Sequence, residues 1–261
     1  MKENIIQSGS VQIFTCGQCG ECCRNWICDK EQARLYFSEF ERNWSKNKIY
    51  VLGPPENSGM LLWEWEKAKL EELPESRNYS VVPYYAIYDT LYDHPLIFAW
   101  TLIGECCPFL ENDNCNIYDI RPIYCRSFPL SYSQVQKKLK AAGICKHNNI
   151  EQNIMAKFNT MEDLNISELS TDSEFYQLYL FAKRASEIPF LIAALLDRLE
   201  VNGLIHRDFS KPPEEIREMI QSQDFENLFE YLAVTGVLDE DEYRTLWDYF
   251  MRTEESIESR L

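Results

Sequence analysis

The pattern of apolar and polar positions predicts helices throughout the second part of the chain. Apolar side chains keep a helical period there, and we expect their Leu, Phe and Tyr positions to form a core. Pro212 and Pro213 suit the start of a helix, and Asn202 and Gly203 suit the end of one. The predicted helices are DSEFYQLYLFAKRAS, IPFLIAALLDRLEV, KPPEEIREMIQSQDFENLFEYLAV and DEDEYRTLWDYFMRTEESIES.

The first part of the chain is less regular. We predict a helix over residues 29–44, because Asp29 can cap its start and Gln32 takes the capping-box position. A second helix is predicted over residues 59–73, in GMLLWEWEKAKLEEL. The alternation in SFPLSYSQVQKKLKAAGIC favours a β-hairpin, whereas the aromatic stretch YSVVPYYAIYDTLYDHP is ambiguous.

The distributions of cysteine and charge place a domain boundary near residue 150. All ten cysteines lie between Cys16 and Cys145. Residues 1–150 carry 18 acidic and 16 basic side chains, whereas residues 151–261 carry 24 acidic and 10 basic ones. We therefore predict a mainly α protein with little β structure. An irregular, metal-organised cysteine-cluster domain over residues 1–150 precedes an acidic helical domain over residues 151–261.

The net charge of −16 and the short apolar runs limit the partners. Phosphate contacts need basic side chains, so we expect no nucleic acid partner. The runs PLIFAW and IPFLIAALL are far shorter than the ~20 residues that span a bilayer, so we expect no membrane partner. The start MKENIIQSGSVQIF lacks the apolar core of a signal peptide, which predicts a cytoplasmic protein. The acidic half suits a basic or lysine-bearing protein partner, or is simply a solvated surface.

The stretch TCGQCGECCRNW is the strongest chemical signal, because it holds four cysteines in eight positions. In a reducing cytosol this spacing favours metal ligands over disulfides. Thiolates alone suit zinc or iron–sulfur clusters. The spacing begins like a bacterial ferredoxin, but Trp26 stands where its next cysteine belongs. Zinc pairs usually use separate CxxC knuckles rather than one crowded knot, so we favour iron, as an iron–sulfur cluster or as ions, over zinc.

The combined cysteine pattern resembles a known family. CxxCxxCC, CPFL, CxIYxxRPxxCRxFP and a later single cysteine are similar to the YkgJ-type cysteine-cluster proteins, which are described as zinc- or iron-chelating. The resemblance covers roughly residues 14–147 and leaves Cys28 and Cys106 outside it. It implies eight thiolate ligands, enough for two four-coordinate sites or one multinuclear cluster. These ligands are Cys16, Cys19, Cys22, Cys23, Cys107, Cys115, Cys125 and Cys145.

Details around the cysteines leave alternatives open. The adjacent Cys22 and Cys23 are more easily explained as ligands of two sites, or as bridges in one cluster, than as a pair on one ion. Three arginines beside the ligands offset thiolate charge or donate hydrogen bonds to sulfur, which would raise the potential of a cluster. They are Arg24, Arg121 and Arg126. The alternative for Arg121 and Arg126 is that they form ordinary structural salt bridges. His147 is a further ligand candidate or an exposed loop residue.

The stretch CCRNWICDKEQARLYF also resembles the flagellin lysine N-methylases of the FliB type. That resemblance implies S-adenosylmethionine as cofactor and a lysine-bearing protein as substrate. The chain is shorter than those enzymes, and its nine glycines form no nucleotide-binding loop. Three functions therefore stay open: a metal-cluster protein with a redox or protein-maturation role, a protein lysine N-methyltransferase, and a zinc-stabilised interaction module.

Overall fold

The computed structural model describes residues 20–24, 46–52, 58–73, 79–104, 106–133, 138–141, 174–222, 224–237 and 241. The chain forms two compact units, each built from two segments. One unit takes Met1–Arg24 and Phe109–Ile192, and the other takes Asn25–Pro108 and Ala193–Leu261. The predicted boundary near residue 150 and the predicted helix over residues 29–44 lie outside the described residues and stay predictions.

The described elements mix helix and strand. The helices are Glu21–Arg24, Glu64–Glu71, Ile123–Ser127, Glu174–Val201, Pro213–Gln221 and Leu228–Val234, with a 3-10 helix at Tyr118–Ile120. The strands are β1 (Tyr50–Val51), β2 (Ser58–Trp63), β3 (Ser80–Asp89), β4 (His94–Ile103), β5 (Leu110–Glu111), β6 (Asn114–Cys115), β7 (Leu130–Ser133), β8 (Lys138–Ala141) and β9 (Glu226–Asn227).

A five-stranded sheet forms the core of the second unit. Its path is β1-β3-β4-β2, with antiparallel neighbours, and the short β9 pairs in parallel with β4. The ten-residue strands β3 and β4 are rich in aromatic and β-branched side chains, which favour extended backbone. Successive residues of both strands are buried, including Tyr84–Tyr88 and Leu96–Ala99. Burial of consecutive positions means that both faces of this hairpin are covered.

The predicted mainly α fold class is wrong, because an antiparallel sheet of this size makes the protein a mixed one. The predicted helix over residues 59–73 is a helix only from Glu64 onward. Its first part is strand β2, which pairs with β4 through partners such as Leu62 and Trp100. That pairing partner lies almost forty residues away along the chain, so local propensity could not reveal it. The ambiguous aromatic stretch supplies β3.

One continuous helix, Glu174–Val201, replaces two of the predicted helices. Pro189 lies inside it, where a proline removes the hydrogen bond to the carbonyl four residues earlier. That carbonyl belongs to Ala185, and it accepts a hydrogen bond from the Tyr124 hydroxyl at 3.4 Å. The helix ends before Gly203, whose φ of +69° suits the left-handed turn at a helix end.

Two further predictions are tested in the described residues. The hairpin is confirmed, with Tyr132 opposite Leu139 in the β7–β8 register. The predicted helix KPPEEIREMIQSQDFENLFEYLAV is interrupted by β9, and Asn227 then caps the next helix by accepting from the amide of Phe229 at 2.8 Å. Pro213 begins its helix as predicted. None of the described helices combines the length and the apolarity needed to cross a bilayer.

The buried side chain of Arg207 links the end of the helix Glu174–Val201 to the segment before β1 in the second unit. The side chain of Arg207 is 4% exposed and its Nη2 lies 2.6 Å from Asp197 Oδ1 and 2.7 Å from Glu200 Oε2. Its Nη1 donates to the carbonyl of Asn47 at 3.2 Å. Lys48 adds a second cation, with Nζ 3.2 Å from Glu200 Oε1. Burial opposes ionisation of Glu200, but hydrogen bonds from Arg207 and Lys48 outweigh it and hold the pKa of this carboxyl below its usual value.

Candidate metal centre

A glycine turn sets the position of the adjacent cysteines. Gly20 has φ of +69°, and its carbonyl accepts from the amides of Cys23 and Arg24 at 3.0 Å each. A Cβ at this residue would lie 2.8 Å from Cδ1 of Leu110. Only glycine fits both the backbone conformation and the space. The short helix Glu21–Arg24 that follows is therefore held close to strand β5.

The hairpin β5–β6 holds Cys115 on the other side of this turn. Its two-residue loop, Asn112 and Asp113, has φ of 47° and 68°, as tight hairpin turns require. Asp113 forms an ion pair with Arg24. Cys115 lies opposite Leu110 in the register of this hairpin. Leu110 is also the residue that approaches Gly20, so the hairpin packs against the Gly20 turn.

Cys22 and Cys23 present their sulfurs to each other. The two Sγ atoms lie 3.9 Å apart, and both residues are partly exposed. Side chains at successive helix positions normally diverge, so this approach is unusual. The hydrogen bond with Cys23 is the main cause that raises the pKa of the Cys22 thiol, followed by burial, while the Arg121 charge opposes the shift. Cys22 is therefore a protonated thiol at neutral pH unless a metal replaces the proton.

Cys125 brings a third chain segment to the thiols. It lies on the helix Ile123–Ser127, and its amide donates to the Pro122 carbonyl at 2.9 Å. Burial raises the pKa of the Cys125 thiol, and charge on three other cysteines raises it further. Those cysteines are Cys23, Cys22 and Cys115. Four of the predicted ligands therefore belong to the first unit.

The three arginines of the motif have different surroundings. Arg121 places its guanidinium 3.6 Å from the ring centroid of Tyr118 and donates Nε to the Tyr118 carbonyl at 2.9 Å. Its charge lowers the pKa of both Cys22 and Cys125, against the larger opposing causes. In the described part of the chain, no carboxylate lies within ion-pairing distance of Arg121.

The other two arginines have structural contacts. Arg24 pairs with Asp113 in the hairpin turn. Arg126 donates Nη2 to the Asp119 carbonyl at 2.8 Å and lies over the ring of Phe181, 5.4 Å from its centroid. The contacts of Arg24 and Arg126 are structural ones, and compensation of thiolate charge by Arg121 stays a prediction.

The remaining predicted ligands are distributed over the rest of the chain. Cys107 is buried at 7% exposure and belongs to the second unit, beside the exposed Cys106. Cys16, Cys19 and Cys145 lie outside the described residues, as do Cys28 and His147. Among the residues that are described, no three His, Cys, Asp or Glu side chains lie close enough together to hold an ion. The eight-cysteine ligand set therefore stays a prediction.

Some contributors were not predicted from the sequence. The ring and the carbonyl of Tyr118 hold Arg121. Asp113 lies in the β5–β6 turn, for which the Asn-Asp pair in ENDNC is a recognisable signal. The link from Tyr124 to the long helix had no local signal, because Ala185 lies sixty-one residues further along.

Comparison with known proteins bears on the cysteine pattern. A family model matches residues 15–152, which is more than half of the chain. The chain belongs to the CxxCxxCC family. That family is described as "Putative zinc- or iron-chelating domain", so the resemblance to the cysteine-cluster proteins is confirmed. No curated protein and no solved structure matches the chain, and the resemblance of this CxxCxxCC protein to the flagellin lysine N-methylases is not supported.

Proposed function

We propose that the chain chelates iron or zinc through thiolates, and that the metal is iron in a redox or protein-maturation role. The observation that carries this proposal is the match of the family model to residues 15–152. The structure adds that Cys22 and Cys23, with Sγ atoms 3.9 Å apart, lie in the same unit as Cys115 and Cys125. A group of neutral thiols contributes little to stability by itself, whereas the same group is well suited to a thiophilic metal.

The electrostatics of the cluster explain why a metal is needed. Each thiolate raises the cost of ionising its neighbours, as seen in the raised pKa of Cys22 and Cys125. A divalent ion would replace the protons and offset the charge of the thiolates. The charge of Arg121, which lowers the pKa of Cys22 and Cys125, acts in the same direction. Thiol donors of this kind suit a metal that prefers sulfur.

The rest of the ligand set follows from the family pattern. We propose that Cys16, Cys19 and Cys145 complete the centre, while Cys107 stays a prediction of the family pattern. Ligands from such distant positions would make metal binding and folding of this region interdependent. When bound, iron would supply electron transfer, and zinc would supply structural cross-linking.

Two features favour iron over zinc. The crowded CxxCxxCC knot differs from the separate CxxC knuckles of typical zinc pairs. The charge of Arg121 lowers the pKa of Cys22 and Cys125, and positive charge that acts on cysteine sulfurs also raises the reduction potential of an iron cluster. A basic or lysine-bearing protein remains our proposal for the partner, because residues 151–261 carry most of the negative charge.

The test is the metal and acid-labile sulfide content of protein purified without oxygen, together with its visible spectrum. Iron with sulfide and thiolate-to-iron absorption is the expected result. Colourless protein with zinc would overturn the choice of iron while keeping the chelating function. Absence of both metals from folded protein would overturn the proposal. Cys125→Ser should lower the metal content, and the exposed Cys106→Ser is its matched control.

A further inference from the structure

The turn between β3 and β4 presents two large apolar side chains to solvent. Leu91 is 53% exposed and Tyr92 is 59% exposed. The turn is nevertheless held in place, because the Leu91 amide donates to Oδ1 of the buried Asp89 at 3.1 Å. The Thr90 amide also donates to the His206 carbonyl at 2.9 Å. Apolar side chains on a fixed turn lose little conformational freedom when a partner binds them.

The helix Leu228–Val234 continues this apolar surface. The rings of Tyr92 and Tyr231 meet edge to face, with their centroids 5.6 Å apart. Val234 follows Tyr231 by three positions, so it lies on the same side of the helix, and it is 87% exposed. We call Leu91, Tyr92 and Val234 the apolar patch. Single exposed apolar residues are ordinary, whereas apolar residues that lie together mark interaction sites.

Acidic side chains border the apolar patch. Asp93 lies in the turn and Glu230 precedes Tyr231 in the helix, and both acidic residues are exposed. Burial is the main cause that raises the pKa of Tyr231, and the negative charge of Glu226 contributes to the same shift. Residues 218–243 carry eight acidic side chains and no lysine or arginine. A partner that complements this surface therefore offers positive charge.

We propose that the apolar patch docks a basic segment of a partner protein, in which lysine or arginine side chains flank apolar anchors. The inference rests on the basic partner proposed above and adds the surface that receives it. The anchors would cover the apolar patch, and the cations would face Asp93 and Glu230. A lipid surface suits the patch less well, because anionic headgroups repel acidic side chains. A second copy of the chain would bring the same negative charge to the contact.

The test uses the metal-loaded protein and a fluorescent synthetic peptide of lysine and leucine, with binding followed by fluorescence anisotropy. Leu91→Ser, Tyr92→Ser and Val234→Ser should each weaken binding roughly fivefold or more, because each removes an apolar contact. Leu91 and Val234 are mostly exposed, so their variants should fold even if Tyr92→Ser disturbs Tyr231. Phe190→Ser is the matched control and should bind like wild type, since Phe190 is 52% exposed but belongs to the first unit.

The contribution of charge is measured on the same complex. Glu230→Gln should weaken binding about twofold at low salt and have less effect at high salt. A peptide with serine in place of leucine should bind roughly fivefold or more weakly than the parent peptide. Equal binding of the two peptides would overturn the inference, because charge alone would then explain the affinity. Equal binding by the patch variants and Phe190→Ser would overturn it too.

Other occupants of the apolar patch give different results. Binding to phosphatidylcholine vesicles, or self-association, that is lost in Leu91→Ser would replace the basic partner by a lipid surface or by a second copy. The metal content of the same samples separates this inference from the chelating function. Wild-type protein that holds no metal contradicts the chelating function, whereas metal-loaded wild type that does not bind the peptide contradicts only the docking site.

Discussion

The guanidinium of Arg121 stacks on the ring of Tyr118 and donates to the carbonyl of the same residue. These two contacts with Tyr118 hold the guanidinium of Arg121, whose positive charge lowers the pKa of the Cys22 and Cys125 thiols. Stacking of this kind is worth about 0.5–2 kcal/mol, enough to favour one position of a flexible side chain. Arg121 is therefore a positioning residue for charge at the centre.

Replacing Arg121 with Gln should make the protein lose metal at a higher pH. Without the cation, the pKa of Cys22 and Cys125 rises further, so protons compete better with the metal. Because metal is lost as the pH falls, the midpoint of release moves upward. The measurement is metal transfer to a coloured chelator across a pH series.

Arg126→Gln is the matched control for that experiment. Arg126 lies one residue after Cys125, yet its guanidinium contacts the Asp119 carbonyl and the Phe181 ring. We expect its release midpoint to stay at the wild-type value. Equal shifts in the two variants would contradict a special role for Arg121.

Replacing Tyr124 with Phe should destabilise the first unit modestly. The change removes the donor to the Ala185 carbonyl, which Pro189 deprives of its helical partner. We expect a loss of about 0.5–1 kcal/mol in the free energy of unfolding, low in the usual range because the bond is 3.4 Å long. Urea unfolding of the metal-loaded protein measures it.

Tyr132→Phe is the control, since its buried hydroxyl has no hydrogen-bond partner among the described residues. Removing an unpaired buried hydroxyl should be neutral or slightly stabilising. Adding Pro189→Ala should reduce the cost of Tyr124→Phe, because an amide then becomes available to the Ala185 carbonyl. Equal losses in the Tyr124 and Tyr132 variants would refute this account.

Replacing Gly20 with Ala should weaken metal binding as well as stability. The left-handed φ alone costs a non-glycine residue about 1–2 kcal/mol. The new Cβ would also lie 2.8 Å from Leu110, so the turn that carries Cys22 and Cys23 must shift. Metal equivalents per chain and thermal unfolding together report both effects.

Gly203→Ala is well matched to this variant. Gly203 has the same φ of +69°, but a Cβ there meets no atom within 4 Å. We expect a similar conformational cost with unchanged metal content. Metal loss in the Gly203 variant would indicate that general destabilisation, not the Leu110 contact, releases the ion.

The stability of the second unit should depend on Glu200 in mildly acidic solution. Its folded pKa lies below the ordinary value of 4.5 because hydrogen bonds from Arg207 and Lys48 outweigh burial. The stabilisation is therefore complete above that ordinary value and is lost as the pH falls through the folded pKa. The advantage of wild type over Glu200→Gln in chemical unfolding should be present at pH 7 and shrink in acid. A constant difference would contradict the proposed role of the carboxylate.

Much of the local structure could be predicted because its causes are local. Pro213 at the start of a helix, Gly203 at the end of one and the alternation of the β7–β8 hairpin each reflect the preferences of adjacent residues. The fold class could not be predicted in this way. Strands β2 and β9 exist because they pair with β4, and these pairings join residues far apart in the chain.

In the candidate centre, too, local features could be predicted from the sequence, whereas contacts between distant residues could not. Motif spacing identified the cysteines and the family. It could not reveal that Cys22 and Cys125, about a hundred residues apart, belong to one unit, nor that Arg24 pairs with Asp113 and Arg126 contacts the Asp119 carbonyl. The sulfur separation at Cys22 and Cys23 depends on a backbone turn that spacing alone does not specify.

The two-segment construction of the first unit has a consequence for synthesis on the ribosome. The chain segment Met1–Arg24 emerges early, whereas Phe109–Ile192 follows only after the whole of the other unit's first segment, Asn25–Pro108, has been made. At a translation rate of roughly 5–20 residues per second, Cys22 and Cys23 are therefore synthesised several seconds before Cys115 and Cys125. During that interval the nascent thiols are open to oxidation or to the wrong ion. Timely delivery of metal, or protection of the early thiols, should therefore matter most while the protein is still being translated.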